Sequence, residues 1–468
     1  MALKKWGTVL SVVIILVINI FTYHFWFFGN HLLTYGDWTF AFPETLAEYS
    51  QPQAWLSSTS LGALNLGLAF EPKFFLNGWL AKIGASPQLN NQLTYLWPTV
   101  ILSGLGMFFL GKKIFNSNLV GLFGSIFFTH NVITIAIRTG HLTLASAQAL
   151  VPFSLLLLLN IFESRKFLYA IVAGLITSLI SFSEARVFYI YFWIIFLYFI
   201  FISIITKENK ITLIKNALLF SIVIIIVFLL NFFWIFTFFS TTPFSNSGFE
   251  FLNRPLYGSN QSDILKSFTV WNIWWTGLKQ ATSIQPIPVL YWSIPIISVL
   301  GLYFNRKNKY VLFAGLIAMA GIFISKQEGE PFTGVYPWLY HHFPGFSAFR
   351  EASKFFLPVI VGFSILIGGF VNWLTHSNYN YRYKSVIAIV ALSFIAAFFL
   401  WNAKPLITGG IETLFVSRHI PTDYIIFKDF ILKQPSYFRT LWVPAPSRWS
   451  YFSNSHPRLG SIELINFE

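Results

Sequence analysis

Apolar residues in this chain form long, nearly uninterrupted runs separated by short polar stretches, with neither the strict alternation of strands nor the one-sided stripe of surface helices. Runs of roughly 17 to 25 apolar residues fit helices that cross a bilayer. Windows of this kind lie near 6–28, 93–111, 118–137, 144–162, 167–183, 187–206, 213–238, 286–304, 309–325, 355–374 and 384–401. The pattern predicts an all-α polytopic membrane protein with about eleven transmembrane helices. The third window is expected to end near His130 and to continue as an interfacial segment. Between the first two windows, QAWLSSTSLGALNLGLAFEPKFFLNGWLAKIG (53–84) reads as one or two surface-lying helices. After residue 401 the long runs stop, and segments such as YFRTLWVPAPSRW read as the start of a small extracytoplasmic β-containing tail. Two parts follow: a transmembrane module, 1–401, and a tail, 402–468, which either docks on the module or belongs to a longer protein.

Composition narrows the class further. The chain is 55% hydrophobic and 20% aromatic with only 10% charged residues, which excludes an ordinary soluble globule. It has no cysteine, so disulfides and thiolate metal sites are excluded. The net charge of +14 raises nucleic acid as a partner, yet the basic residues sit in short clusters between apolar runs rather than along one face. No nucleic-acid partner is expected, whereas membrane lipids are. Lys4 and Lys5 precede a first run that ends in bulky aromatics without a small-residue cleavage site, and it reads as a signal anchor.

Threading the windows alternately sorts the charge. One side collects Lys112, Lys113, Arg165, Lys166, Lys207, Arg306, Lys307 and other basic residues against only Glu163 and Glu208, whereas the opposite loops before residue 402 hold equal numbers of acids and bases. The basic side is expected to be cytoplasmic, in a protein of the cytoplasmic membrane with its N-terminus inside. The loops at 29–92, 239–285 and 326–354 and the tail are then extracytoplasmic.

Ionisable groups close to a membrane are costly and call for a partner or a function. Here they gather at the outer helix ends: Asp37 in YGDWTF, Glu71, Arg138 with His141, Glu184 with Arg186, Asp263, His341 with His342, and Arg350, Glu351 and Lys354. Asp37 is a candidate general base, metal ligand, ion-pair partner or helix-capping loop residue. Arg350 and Lys354, four apart in FPGFSAFREASKFFLPV, would share one helical face entering the tenth window, a placement suited to an anion; juxtamembrane anchoring with Glu351 as counter-ion is the alternative. In SFSEARVFYI, Glu184 and Arg186 form either an internal ion pair or a substrate contact. Arg138 is favoured over His141 as a ligand contact. His341 and His342, being adjacent, diverge on a helix and cannot form a paired metal face. Trp271, Trp274 and Trp275 in VWNIWWTG suit an interfacial aromatic belt, with sugar or polyprenyl stacking as the sharper alternative.

The pieces YGDWTF, GHLTLASAQALVPFSLLLL, SEARVFY and FREASKFF together resemble the GT-C glycosyltransferases that use polyprenyl-phosphate-linked sugars. Within that superfamily the chain is most similar to the amino-terminal module of α-(1→3)-arabinofuranosyltransferases and to YfhO-type membrane proteins, over roughly residues 1–401. The resemblance implies an enzyme that transfers a sugar from a lipid-phosphate donor to a cell-envelope glycan or glycoprotein on the outer face. It makes Asp37 the candidate catalytic base or acidic-motif residue and Arg350 and Lys354 candidate donor-phosphate contacts; Arg138, Arg186, Glu184 and His141 remain substrate-binding candidates from their place at the outer helix ends. The first loop departs from the family pattern in lacking a DxD pair; Glu44, Glu48 or Glu71 would have to supply a second carboxylate, and no metal or other cofactor is expected. The competing functions are a transporter or flippase of lipid-linked saccharides, in which polar groups would sit near the midplane, and a non-catalytic envelope scaffold.

Overall fold

The computed structural model describes residues 2–28, 42–56, 63–65, 67–206, 209–241, 255–257, 263–271, 286–376, 384–409, 421–436 and 438. Each of the eleven windows falls on an apolar helix. In chain order these are α1 (Ala2–Thr22), then two outer-loop helices α2 (Pro43–Glu48) and α3 (Glu71–Lys82), and α4 (Trp97–Phe115). A bent pair follows, α5 (Asn118–His130) and α6 (Val132–Gly140). Next come α7 (Leu142–Ser164), α8 (Phe167–Ser183), α9 (Ala185–Thr206), α10 (Lys210–Thr241), α11 (Ser293–Phe304) and α12 (Lys309–Ser325). A short α13 (Val335–His342), then α14 (Phe356–His376), α15 (Lys384–Asn402) and a tail helix α16 (Thr422–Leu432) complete the set used below. Six described spans are long and apolar enough to cross a membrane, or seven with the bent pair; the apolar stretches in α1, α8 and α11 and the whole of α12 are shorter. The protein is thus an all-helical integral membrane protein, its only strand pairing among the described residues being Trp55–Leu56 against Ala63–Leu64.

The bend between α5 and α6 measures 51°. Its cause is local: Asn131 adopts an extended backbone, accepts from Thr134 N at 2.9 Å to cap α6, and donates to Phe127 O at 2.9 Å to close α5. His130 is the last residue of α5, as the sequence pattern predicts for the end of the third window.

Span α14 is the hub. Its window is 89% buried, against 17% for α15 and 22% for α10, and it packs on α5, α11 and α12. Small residues let these backbones approach, the usual solution where lipid offers no hydrophobic drive between helices. A Cβ on Gly301 of α11 would run into the carbonyl of Leu366, and one on Gly362 would lie 2.6 Å from the carbonyl of Ala314.

Side-chain contacts fix which helix ends lie together. Lys113 at the end of α4 pairs with Glu163 at the end of α7 at 2.6 Å, and Tyr310 at the start of α12 donates to that same carboxylate at 2.5 Å. Near the other end Thr99 of α4 meets Ser146 of α7 at 3.0 Å. Helices α4 and α7 therefore run parallel, and the bent pair between them carries the chain back across the bundle.

The tail helix α16 returns to the first outer loop: Lys428 bonds Glu44 of α2 at 2.9 Å and lies over the Phe42 ring at 4.4 Å. YFRTLWVPAPSRW lies outside the described residues apart from Phe438, as do Trp274 and Trp275. Trp271 is not part of an interfacial belt; it is buried with its ring 4.4 Å from that of Tyr291.

Candidate functional site

At the end of the bundle opposite Lys113 and Glu163, two tight hairpins bring charge together. Non-helical backbone at His141 and extended backbone at Glu184 interrupt α6–α7 and α8–α9, so each break presents its side chains at the helix ends. Glu184 is 2% exposed. Its carboxylate receives a two-pronged contact from Arg186, Nε to Oε1 at 2.7 Å and Nη2 to Oε2 at 3.1 Å, the geometry in which guanidinium binds carboxylate most strongly. Thr143 donates to Oε2 at 3.5 Å and His141 Nε2 lies 3.9 Å from it. His141 also sits 3.4 Å from Arg186 Nη2 and 3.2 Å from the Thr143 hydroxyl.

Burial alone would raise the Glu184 pKa, but the Arg186 charge and hydrogen bonds, helped by His141 and Lys354, bring it down to about 2. Glu184 is a fixed anion. It holds Arg186, whose side chain is 33% exposed, in place. A guanidinium held by a buried carboxylate and one third exposed is of the type that binds a phosphate or another multidentate oxyanion.

The segment entering α14 contributes differently from what its spacing predicts. Arg350 and Lys354 do not share a helical face, because the Glu351 side chain accepts from Ser353 N at 2.9 Å and starts the helical turn after Arg350. Arg350 lies outside that turn with its guanidinium 5.5 Å over the Tyr257 ring, while its carbonyl accepts from Tyr257 N at 2.8 Å. Lys354 is 6% exposed and bonds Glu351, so it stabilises the cluster from within, where its charge acts on Glu184.

Arg138 lies apart from this cluster. It is 1% exposed, with its guanidinium 5.0 Å over the Tyr23 ring, donating to Ser103 and, at 3.5 Å, to the Thr129 carbonyl. These contacts tie α6 to α1, α4 and α5. His141, the less favoured of the two on sequence grounds, is the one beside Glu184. Asp37 lies outside the described residues, and Glu71 is described in its backbone only. Of the other loop acids, Glu44 is engaged by Lys428. No group of three or more His, Cys, Asp or Glu among the described residues is spaced to hold a metal ion.

Thr143, Ser183 and Lys73 belong to this end of the bundle; Thr143 and Ser183 lie inside the quoted segments GHLTLASAQALVPFSLLLL and SFSEARVFYI but are not singled out there, and Lys73 lies in no such segment. Lys73 N ζ donates to Ser183 Oγ at 3.5 Å and lies 4.0 Å over the Tyr95 ring. The only sequence cue is a cation inside an otherwise apolar surface-helix stretch, AFEPKFFL.

The fold of this helical bundle is shared with a solved glycosyltransferase structure. Among solved structures, the chain is similar to the arabinofuranosyltransferase AftD from Mycobacteria, with a TM-score of 0.58 and 10% sequence identity over 92% of this chain. It is also similar to the archaeal oligosaccharyltransferase AglB from Archaeoglobus fulgidus, with a TM-score of 0.48 and 13% identity over 96% of this chain. The chain spans 28% of the AftD chain and 61% of the AglB chain. At these identities the likeness concerns the fold. No protein-family model and no curated protein matches the sequence.

Proposed function

We propose that the protein is a membrane glycosyltransferase that moves a sugar from a polyprenyl-phosphate-linked donor to a hydroxyl of a cell-envelope glycan or glycoprotein on the extracytoplasmic face. The observation that carries this reading is the charge cluster in which Arg186, one third exposed, is clamped by buried Glu184 beside His141 at one end of a GT-C-like bundle. Transfer breaks the bond between the anomeric carbon and the phosphate oxygen and forms one to the acceptor oxygen. The phosphate gains negative charge as it leaves, and a positioned guanidinium stabilises that charge without reorganising. Arg350 is the further cation available to the phosphate, and Lys354 supports the cluster from inside. Asp37, from the first outer loop, takes the acceptor proton in this scheme. The tail helix α16 is held to α2 through Lys428 and Glu44.

The test uses purified protein in vesicles with labelled lipid-phosphate sugar and a polyol acceptor. Asp37→Asn and Arg186→Met are each expected to lower turnover by ~10²-fold or more, the usual scale for a general base or an oxyanion partner. Full transfer activity in a folded Asp37→Asn protein removes Asp37 from the scheme. Movement of intact donor across the vesicle without release of lipid phosphate would instead identify a flippase.

A further inference from the structure

His141 stands inside the charge cluster with no part in the transfer scheme, and its neighbours determine where its ring carries a proton. Four side chains form a closed circuit. Arg186 bonds Glu184 through Nε at 2.7 Å and Nη2 at 3.1 Å, and the same Nη2 lies 3.4 Å from His141 Nε2. On the other edge of the imidazole, Nδ1 lies 3.2 Å from the Thr143 hydroxyl, and that hydroxyl reaches Glu184 Oε2 at 3.5 Å. The circuit ties the start of α7 to the turn between α8 and α9.

Two of its members have no choice of role. A guanidinium only donates, and Glu184, with a pKa of about 2, is ionised and only accepts. The remaining directions follow from these. Thr143 has a single hydroxyl proton, which goes to Glu184, so its oxygen accepts from an Nδ1–H of His141. The Nε2 that faces the Arg186 N–H carries the lone pair. With the proton on Nε2 instead, two donors would meet at 3.4 Å, and Glu184 Oε2, 3.9 Å away, is too distant to take that proton. An imidazolium would set a second cation against Arg186, where Lys354 already acts on the one carboxylate that could offset it.

We infer that His141 is a positioning residue: neutral, with its proton on Nδ1, it accepts from Arg186 through Nε2 and locks the guanidinium, and both of its nitrogens are engaged within the protein rather than by substrate. The two bonds to Glu184 leave the guanidinium able to tilt about the line joining them, and the third contact removes that freedom. The proton assignment stands on the hydrogen bonds alone; its effect on sugar transfer rests on the proposed role of Arg186 at the departing phosphate.

The test has two arms. In the first, magic-angle-spinning NMR is recorded at neutral pH on the full chain in lipid vesicles with isotope-labelled histidine. Comparison with His141→Gln, or with His141→Asn if that variant does not fold, identifies the His141 signals among those of the nine histidines. A protonated Nδ1 and a bare Nε2 are expected. A protonated Nε2, or protons on both nitrogens, overturns the inference. The second arm measures transfer. His141→Phe, which keeps a ring without an acceptor, is expected to lower kcat about tenfold, the scale of a hydrogen bond to a charged group, and to change KM less than about twofold, because the phosphate charge grows as the bond breaks. His141→Gln, whose amide oxygen can stand where Nε2 was, is expected to recover kcat to within about threefold of wild type. In an Arg186→Met background His141→Phe is expected to add no further loss. An equal loss with and without Arg186 overturns the inference, since His141 would then act on its own. Should His141→Phe not fold, the NMR arm decides alone. The expected tautomer in a protein that transfers no sugar upholds the positioning of Arg186 and counts against glycosyl transfer alone.

Discussion

Glu184 and Arg186 illustrate how two residues in sequence produce a working surface. The turn between α8 and α9 buries the acid and exposes the base, so the pair acts as an anchor and a presented cation rather than as two solvated charges. The Glu184 pKa falls from its ordinary 4.5 to about 2, so its pairing contributes fully above about 4.5 and is lost as the pH drops toward 2. Between pH 5 and 8 the pair adds no pH dependence. Glu184→Gln is expected to cost ~1–2 kcal/mol, less than the ~3–5 kcal/mol of breaking a fully buried pair, because water can solvate the partly exposed Arg186 left behind. Melting curves from pH 3 to 7 check this: the wild type should lose stability below about pH 4.5, and Glu184→Gln should lose less. Arg138 shows the opposite disposition. Nothing in RTGHLTLAS distinguishes a cation that ties four helices together from one that meets a ligand, because the difference lies in Tyr23, Ser103 and Thr129, all outside that stretch and the first two remote in sequence.

Among elements, the apolar windows were legible because a bilayer imposes length and composition on each span independently of its neighbours. The break at His130 was legible for a similar reason, since Asn131 supplies the cap locally. Arg350 and Lys354 were misplaced because i and i+4 share a face only within a continuous helix, and the Glu351 cap starts the turn one residue too late for Arg350. The circuit around His141 was not legible at all: it joins the start of α7 to the turn between α8 and α9, and only tertiary packing assembles it. The packing of α14 makes a separate prediction at this scale. Gly301 faces the Leu366 carbonyl so closely that any side chain must separate α11 from α14. Gly301→Leu is expected to abolish a monodisperse folded protein in size-exclusion chromatography. Gly334→Leu, at a site where a Cβ meets nothing within 4 Å, should elute as wild type.

At the scale of the whole molecule, the contacts divide the bundle into two ends before any membrane is considered. Lys113, Glu163 and Tyr310 meet at one; His141, Glu184, Arg186 and Lys354 gather at the other. The basic loops belong to the first end, and the positive-inside rule assigns it to the cytoplasm. An outer position for the cluster is thus the expectation from loop charge together with the parallel course of α4 and α7, which requires the bent pair α5–α6 to cross. The absence of native cysteine allows a direct check by single-cysteine labelling. Lys82 and Lys166 are both exposed and are separated by α4, the bent pair and α7. Three crossings put them on opposite sides; a re-entrant bent pair would put them on the same side. In intact cells, a membrane-impermeant maleimide is expected to label Lys82→Cys and to reach Lys166→Cys only after permeabilisation. Labelling of both positions without permeabilisation would make α5–α6 a re-entrant loop, and the inverse pattern would turn the Glu184–Arg186 cluster toward the cytosol, where an extracytoplasmic acceptor could not reach it.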